Sequence, residues 1–228
     1  MSTANRPRVL ICDDEQQILR ALRVILRDAG FEALPAGTIE EALDVAAVRA
    51  PDAAIIDLML PDGDGVELCR KLREWSAMPV IVLSAVGDED AKVRALAAGA
   101  DDYITKPFGP RELVARLEAN LRRSTGDSED SVVTAAGLEL DLARHTVTVD
   151  GNEVHLTPTE FDLLRELARN RGRLLTHREL LVAVWGSGYG DDTQVLRAHM
   201  ANLRRKIERG DGPRLIRTES GVGYRFAS

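Results

Sequence analysis

The chain has 228 residues, 44% of them hydrophobic and 29% charged, with two cysteines and a net charge of −7. That length suits one or two domains, each able to bury its own core, and the apolar share excludes a disordered chain. No apolar run approaches the eighteen or so residues of a membrane span, and Met1 to Arg8 hold no signal core, so a soluble, cytoplasmic protein without membrane contact is expected.

The charge is unevenly spread. Residues 1–125 carry 21 acids and 16 bases, 126–130 add three acids, and 131–228 carry 13 acids and 14 bases. From Thr193 onward there are eight bases and three acids. An acidic end and a basic end suggest two different partners, although charge alone does not identify nucleic acid. Cys12 and Cys69 sit in apolar stretches without metal-ligand spacing, so buried, reduced thiols are expected.

In chain order, Val9-Leu10-Ile11-Cys12 is a strand-like run that ends on Asp13-Asp14-Glu15. Ile18 to Ala29 reads as an amphipathic helix stopped by Gly30, and Thr38 with Glu41 as a capping box opening a second helix. Ala53 to Asp57 is an apolar run ending on a carboxylate, and Pro61 with Gly63 and Gly65 breaks the chain before a helix at 66–75. Val80 to Leu83 leads into Ser84, a helix follows at 88–98, Asp102 to Thr105 leads into Lys106-Pro107, and a helix follows at 110–123. Strands alternating with helices predict a doubly wound parallel sheet. Ligands of such sheets bind outside the carboxyl ends of the strands, so Asp13, Asp14, Asp57, Ser84 and Lys106 should converge. A carboxylate can act as nucleophile toward a phosphoryl group, and neighbouring carboxylates suit Mg²⁺.

Those five positions, with the LPDGDG and KPF loops, resemble the receiver domain of two-component response regulators over about residues 7–122. The resemblance implies an α/β domain at 1–123 with five parallel strands in the flavodoxin-like order 2-1-3-4-5. It implies phosphoryl transfer from a sensor histidine kinase to Asp57. Mg²⁺ would be held by Asp13, Asp14, Asp57 and the backbone carbonyl of Met59. Lys106 would pair with a phosphate oxygen, Ser84 would donate a hydrogen bond to another, and Tyr103 would turn inward as the switch. A symmetric homodimer on phosphorylation would use Lys92, Asp101, Asp102, Glu112 and Arg116. The water that later removes the phosphoryl group would approach between Met59 and Val86.

Residues 124–131 are small, polar and acidic, and are expected to form a flexible linker. Beyond them Leu138 to Leu142 and Thr146 to Val149 alternate with period two, and Asp150-Gly151 signals a hairpin. Thr157-Pro158-Thr159-Glu160 and Thr176-His177-Arg178-Glu179 are capping boxes, opening helices at about 158–170 and 177–185. A third helix spans about 192–209, and strands around Arg217 and Arg225 bracket a Ser220 to Gly223 turn. The pattern predicts an α+β winged helix-turn-helix at 132–228.

On the third helix, at about 100° per residue, Leu196, Met200, Leu203 and Ile207 form the buried stripe. Gln194, Ala198, Ala201 and Arg205 face the opposite way, with Asn202 at the shoulder, Arg197 and Arg204 on one flank, and His199 and Lys206 on the other. Small alanines would let this helix enter the major groove of double-stranded DNA. Gln194 and Asn202 are expected to read bases, and Arg197, Arg204 and Lys206 to contact phosphates, with Arg205, Arg217 and Arg225 as further contacts. LTPTEFDLL, Val184-Trp185-Gly186, LRRKI and GVGYRF resemble the effector of OmpR/PhoB-class response regulators. More closely, VHLTPTEF and LRAHMANLRRKIE resemble the potassium-transport regulators of that class. The resemblance implies a transcription regulator rather than an enzyme, with RNA polymerase as a candidate further partner. Many class members carry arginine pairs where this helix has Ala201-Asn202, and a basic wing tip where this chain has Glu219-Ser220, so the class-wide target motif is not assumed. Two alternatives stand beside this reading. A Mg²⁺-dependent phosphohydrolase with an aspartyl nucleophile commonly has a second acid two residues on, where this chain has Met59. A ligand-sensing repressor would leave the five-residue constellation unexplained.

Overall fold

The computed structural model describes residues 6–124, 132–142, 144–186, 189, 192–208 and 214–227. The expected linker lies, from residue 125, outside the described residues. The chain divides into two compact units, Met1–Leu121 and Arg122–Ser228.

The first unit runs β1 (Arg8–Cys12), α1 (Gln16–Asp28), β2 (Glu32–Ala36), α2 (Ile39–Arg49), β3 (Ala53–Asp57), β4 (Met59–Leu60), β5 (Gly63–Asp64), α3 (Gly65–Arg73), β6 (Val80–Ala85), α4 (Glu89–Ala97), β7 (Asp102–Lys106) and α5 (Pro110–Ser124). Five strands make a parallel sheet in the order β2-β1-β3-β6-β7. This is the expected 2-1-3-4-5 order once β4 and β5, which pair only with each other, are set aside. Successive strand residues point to opposite faces. Val9, Ile11, Ile55, Ile81, Leu83 and Ile104 therefore pack on one face under Leu22 and Leu26 of α1 and Leu113 and Leu117 of α5. Leu10, Cys12, Ala54, Ile56, Val80 and Val82 pack on the other under α2, α3 and α4. Each fully buried aliphatic side chain contributes roughly 1.5–3 kcal/mol. Both faces are covered, so polar side chains are admitted only at the strand ends, where the site lies.

The second unit runs β8 (Val132–Ala135), β9 (Leu138–Asp141), β10 (Thr146–Val149), β11 (Asn152–Glu153), α6 (Pro158–Arg169), β12 (Leu174–Thr176), α7 (His177–Trp185), α8 (Thr193–Ile207), β13 (Ile216–Glu219) and β14 (Gly223–Phe226). Its described residues form a four-stranded antiparallel sheet, three helices and a three-stranded sheet in the order β12-β14-β13. The capping boxes that open α6 and α7 are complete. The third strand of the wing sheet comes from β12, which sequence periodicity did not single out. Gly223 is obligatory there, because a Cβ would run into the backbone carbonyl of Leu175. Among the described residues, no helix is long and apolar enough to cross a membrane.

Candidate functional site

The carboxyl ends of β1, β3, β6 and β7 bring the expected polar residues together. Lys106 Nζ lies 2.9 Å from both Asp13 Oδ2 and Asp57 Oδ1. Asp13 is fully buried, and its other oxygen accepts a hydrogen bond from the Glu15 amide at 2.8 Å. Asp14 is exposed beside them, and one oxygen each from Asp13, Asp14 and Asp57 lie within 4.8 Å of one another. Three hard oxygen donors so close together fit a divalent cation of the Mg²⁺ type. Ser84 Oγ is buried without a hydrogen-bond partner among the described residues, so a donor stands ready for an incoming oxygen. Met59 lies two residues past Asp57 in β4, paired with Asp64 of β5.

Burial pushes the Asp57 carboxyl above the usual carboxylate range, although Lys106 pulls the other way. For Lys106, burial alone would depress the ammonium, but its bonds to Asp13 and Asp57 outweigh that and raise its pKa. The ammonium is therefore held on an oxygen of Asp57. Cys12, on the same sheet, is buried near Asp62 and Asp13, and its thiol is pushed up to about 12, so it stays inert.

The loop after Asp57 contains two positioning residues that sequence reasoning missed. Asp62 Oδ1 and Oδ2 accept from the backbone amides of Ile39 at 2.9 Å and Glu40 at 3.2 Å, capping α2. Those bonds hold the Asp62 carboxyl below its usual range. Asp64 caps α3 through the Val66 amide and pairs with Arg94 of α4 at 2.9 Å. The Asp64 cap has a local signal, a short polar acceptor just before a helix. The Asp62 contact is between residues 23 apart and has none.

Tyr103 is half-buried, with Lys92 Nζ 4.8 Å from its ring centre. The five expected dimer-face charges do not form one solvated face. Lys92 pairs with Glu89 at 2.8 Å, and Arg116 pairs with Glu112 at 3.1 Å and with the buried Asp102 at 3.3 Å. Asp101 departs from the expectation. It is fully buried, and its burial is compensated by the ion pair with Arg73 and the Val80 amide, while the same guanidinium donates to the carbonyl oxygens of Gly99 and Met78.

In the second unit, α8 presents Gln194, Arg197, Ala201 and Arg205 to solvent, with Ala198 half-buried. One expectation is corrected. Asn202 is 3% exposed, and its Oδ1 accepts from Arg205 Nη2, so it does not stand on the outer face. The buried arc is wider than the aliphatic stripe, because Val195, His199 and Asn202 extend it on one side. His199 packs inside against Trp185, with ring centres 5.5 Å apart. Lys206 and Arg204 also have inward partners. Lys206 pairs with Glu160 at 2.6 Å, and Arg204 donates to Ile216 O at 2.7 Å and Thr218 Oγ1 at 2.8 Å, joining α8 to the wing. Arg217 is exposed on β13, and Arg225 donates to Gly172 O at 3.1 Å.

Residues 9–118 match the response regulator receiver domain, and residues 151–226 match the C-terminal domain of transcriptional regulatory proteins. The chain belongs to the two-component response regulators of the OmpR/PhoB type. Within them it is a KdpE-like DNA-binding regulator. It is 51% identical over 221 residues to the transcriptional regulatory protein KdpE of Mycobacterium tuberculosis, covering 96% of this chain and 98% of that one. It is 49% identical over 220 residues to the KDP operon transcriptional regulatory protein KdpE of Escherichia coli, with the same coverage. A solved structure of a RitR mutant superposes with a TM-score of 0.79 at 26% identity, covering 96% of this chain and 98% of that one. A phosphohydrolase or a ligand-sensing repressor is not favoured.

Proposed function

We propose that Asp57 accepts a phosphoryl group from a sensor histidine kinase, and that this promotes dimerisation and sequence-specific binding to double-stranded DNA. The observation that carries this reading is Lys106 bridging Asp13 and Asp57 at 2.9 Å, with the unpartnered Ser84 Oγ in the same crevice. Asp57 attacks the phosphorus in line, the kinase's phosphorus–nitrogen bond breaks, and an aspartyl phosphate forms. Lys106 then compensates charge on a phosphoryl oxygen, and Ser84 donates to another. Asp13, Asp14, Asp57 and the Met59 carbonyl would hold Mg²⁺, which supplies further compensation for the phosphoryl charge. As Ser84 and Tyr103 close inward, the α4–β7–α5 charges Lys92, Asp102, Glu112 and Arg116 exchange partners within the chain for partners across a homodimer.

On this reading residues 1–123 are the receiver, 124–131 the linker and 132–228 the effector. The protein acts in the cytoplasm as a regulator rather than as a turnover enzyme, with RNA polymerase as a further partner. Gln194, Arg197, Ala198, Ala201 and Arg205 make the groove-facing surface, flanked by Arg204, Arg217 and Arg225. A potassium-transport operon is the proposed target, in keeping with the KDP operon named for the Escherichia coli relative. Labelling with a small-molecule phosphodonor tests the site. Acid-labile label should require Mg²⁺ and disappear in Asp57→Asn, and label retained by that variant would refute the assignment. Mapping bound promoters with and without phosphorylation tests the target.

A further inference from the structure

At the start of α7, His177 and its neighbour Tyr224 have no part in the arrangement so far. His177 donates its backbone amide to Val222 O at the wing turn at 2.9 Å. Its half-buried ring stands edge-on to Tyr224 of β14, with centres 5.6 Å apart. Arg204 of α8 lies over the same tyrosine, 5.5 Å from its centre. Arg197 of α8 is exposed, and its charge, after burial, lowers the pKa of the His177 imidazole. Among the described residues the neighbouring acids are engaged elsewhere: Glu179 closes the capping box and pairs with Arg173, and Glu219 pairs with Arg225. The imidazole of His177 and the guanidinium of Arg204 thus meet on the Tyr224 ring at the foot of the wing, and exposed Arg197 lies on the same helix as Arg204.

We propose that His177 is a DNA-phosphate contact that acts together with Arg197, and that docking on the backbone is accompanied by proton uptake at its imidazole. This rests on the reading of α8 and the wing as the DNA surface. In the free protein, burial and then Arg197 hold the imidazole below its ordinary pKa, so near neutral pH it is uncharged. A phosphate placed between the two removes the repulsion and favours imidazolium. Binding and protonation are then linked, and each strengthens the other.

The test is fluorescence anisotropy of the full chain on a random-sequence duplex, from about pH 5 to 8, the range in which an imidazole titrates. The expected result is tighter binding as pH falls, by about tenfold per pH unit at most for one proton. The salt slope should steepen by about 0.9 at low pH, the value of one added phosphate contact. His177→Gln should lose both effects, and His177→Arg should bind tightly across the whole range. Equal pH and salt dependence in wild type and His177→Gln overturns the proposal, as does wild-type affinity that is flat with pH. Arg197→Ala separates the two levels. If it weakens binding while His177→Gln leaves the pH dependence intact, only the role of His177 fails. If it leaves binding unchanged, the DNA surface itself is misassigned.

Discussion

Lys206 Nζ stands 2.6 Å from Glu160 Oε2, a carboxylate that is 1% exposed and that also accepts from the Thr157 amide to close the capping box of α6. A lysine expected to hold a DNA phosphate is, in the free chain, the counter-ion of a buried acid. Lys206→Met leaves Glu160 buried and uncompensated. The expected cost is about 2 kcal/mol, less than the 3–5 of a fully buried pair because Lys206 keeps some solvent. Denaturant unfolding of the variant measures it. A stable variant with weakened DNA binding would return Lys206 to the phosphate contacts.

The same pair shows where the sequence was legible and where it was not. The strand ends of the receiver could be read because each signal is local: an apolar run, a carboxylate or hydroxyl at its end, then a breaker. Lys106 and Asp13 are 93 residues apart, yet the parallel topology alone brings them together. The partners of Lys206, Asp62 and Asp101 depend on which side chains face one another across elements, and no periodicity encodes that. The capping box at Thr38 shows the limit on a small scale. Thr38 Oγ1 accepts from the Glu41 amide at 3.1 Å as expected, but Glu41 turns to the Gly37 amide at 2.7 Å, and Asp62 completes the cap from another loop. On α8 the aliphatic stripe is as expected, but the helical angle put His199 on a flank and Asn202 at the shoulder of the outer face, and packing buries both.

Base reading should therefore rest on Gln194 and not on Asn202. Gln194→Ala should lower discrimination between target and non-target duplex by roughly 1–3 kcal/mol, with thermal stability kept. Asn202→Ala should lower the melting temperature and leave discrimination unchanged. A changed base preference in Asn202→Ala at unaltered melting temperature would sink this assignment of faces.

Asp57 should make the protein less stable in the absence of Mg²⁺. Its carboxyl is raised by burial, so folding disfavours the ionised form. The sign follows directly. Below the ordinary carboxylate pKa of about 3.9 the group is protonated in both states and carries no penalty. Stability is lost as pH rises through the window up to the raised folded value, and the full loss persists at neutral pH. Asp57→Asn removes it while Lys106 keeps Asp13. The variant is expected to gain about 0.5–2 kcal/mol at neutral pH, with the gain vanishing in acid. Thermal melts across pH decide it, and a variant that melts below wild type at neutral pH refutes the account.

The lifetime of the phosphoryl group should depend on two exposed side chains. Loss of phosphate requires a water in line with the Asp57–phosphorus bond. By family geometry that water passes between the residues two beyond Asp57 and two beyond Ser84, which are Met59 and Val86. Met59 is 78% exposed and Val86 74% exposed, whereas Asp57 is itself 7% exposed. Neither can orient a water or take its proton, and Met59 is long enough to lean over the phosphoryl group. A positioned polar group contributes about 10²- to 10⁴-fold to such a step, and here none is supplied. Slow self-dephosphorylation is expected, with the signal ended mainly by a partner phosphatase. Met59→Asn combined with Val86→Glu should accelerate the loss without preventing phosphorylation, because neither residue contributes a side chain to the acidic cluster. The decay of radiolabelled protein, followed in both forms after removal of the phosphodonor, decides the matter. Wild-type label lost within seconds and unaltered by the paired substitution would leave the water's path elsewhere.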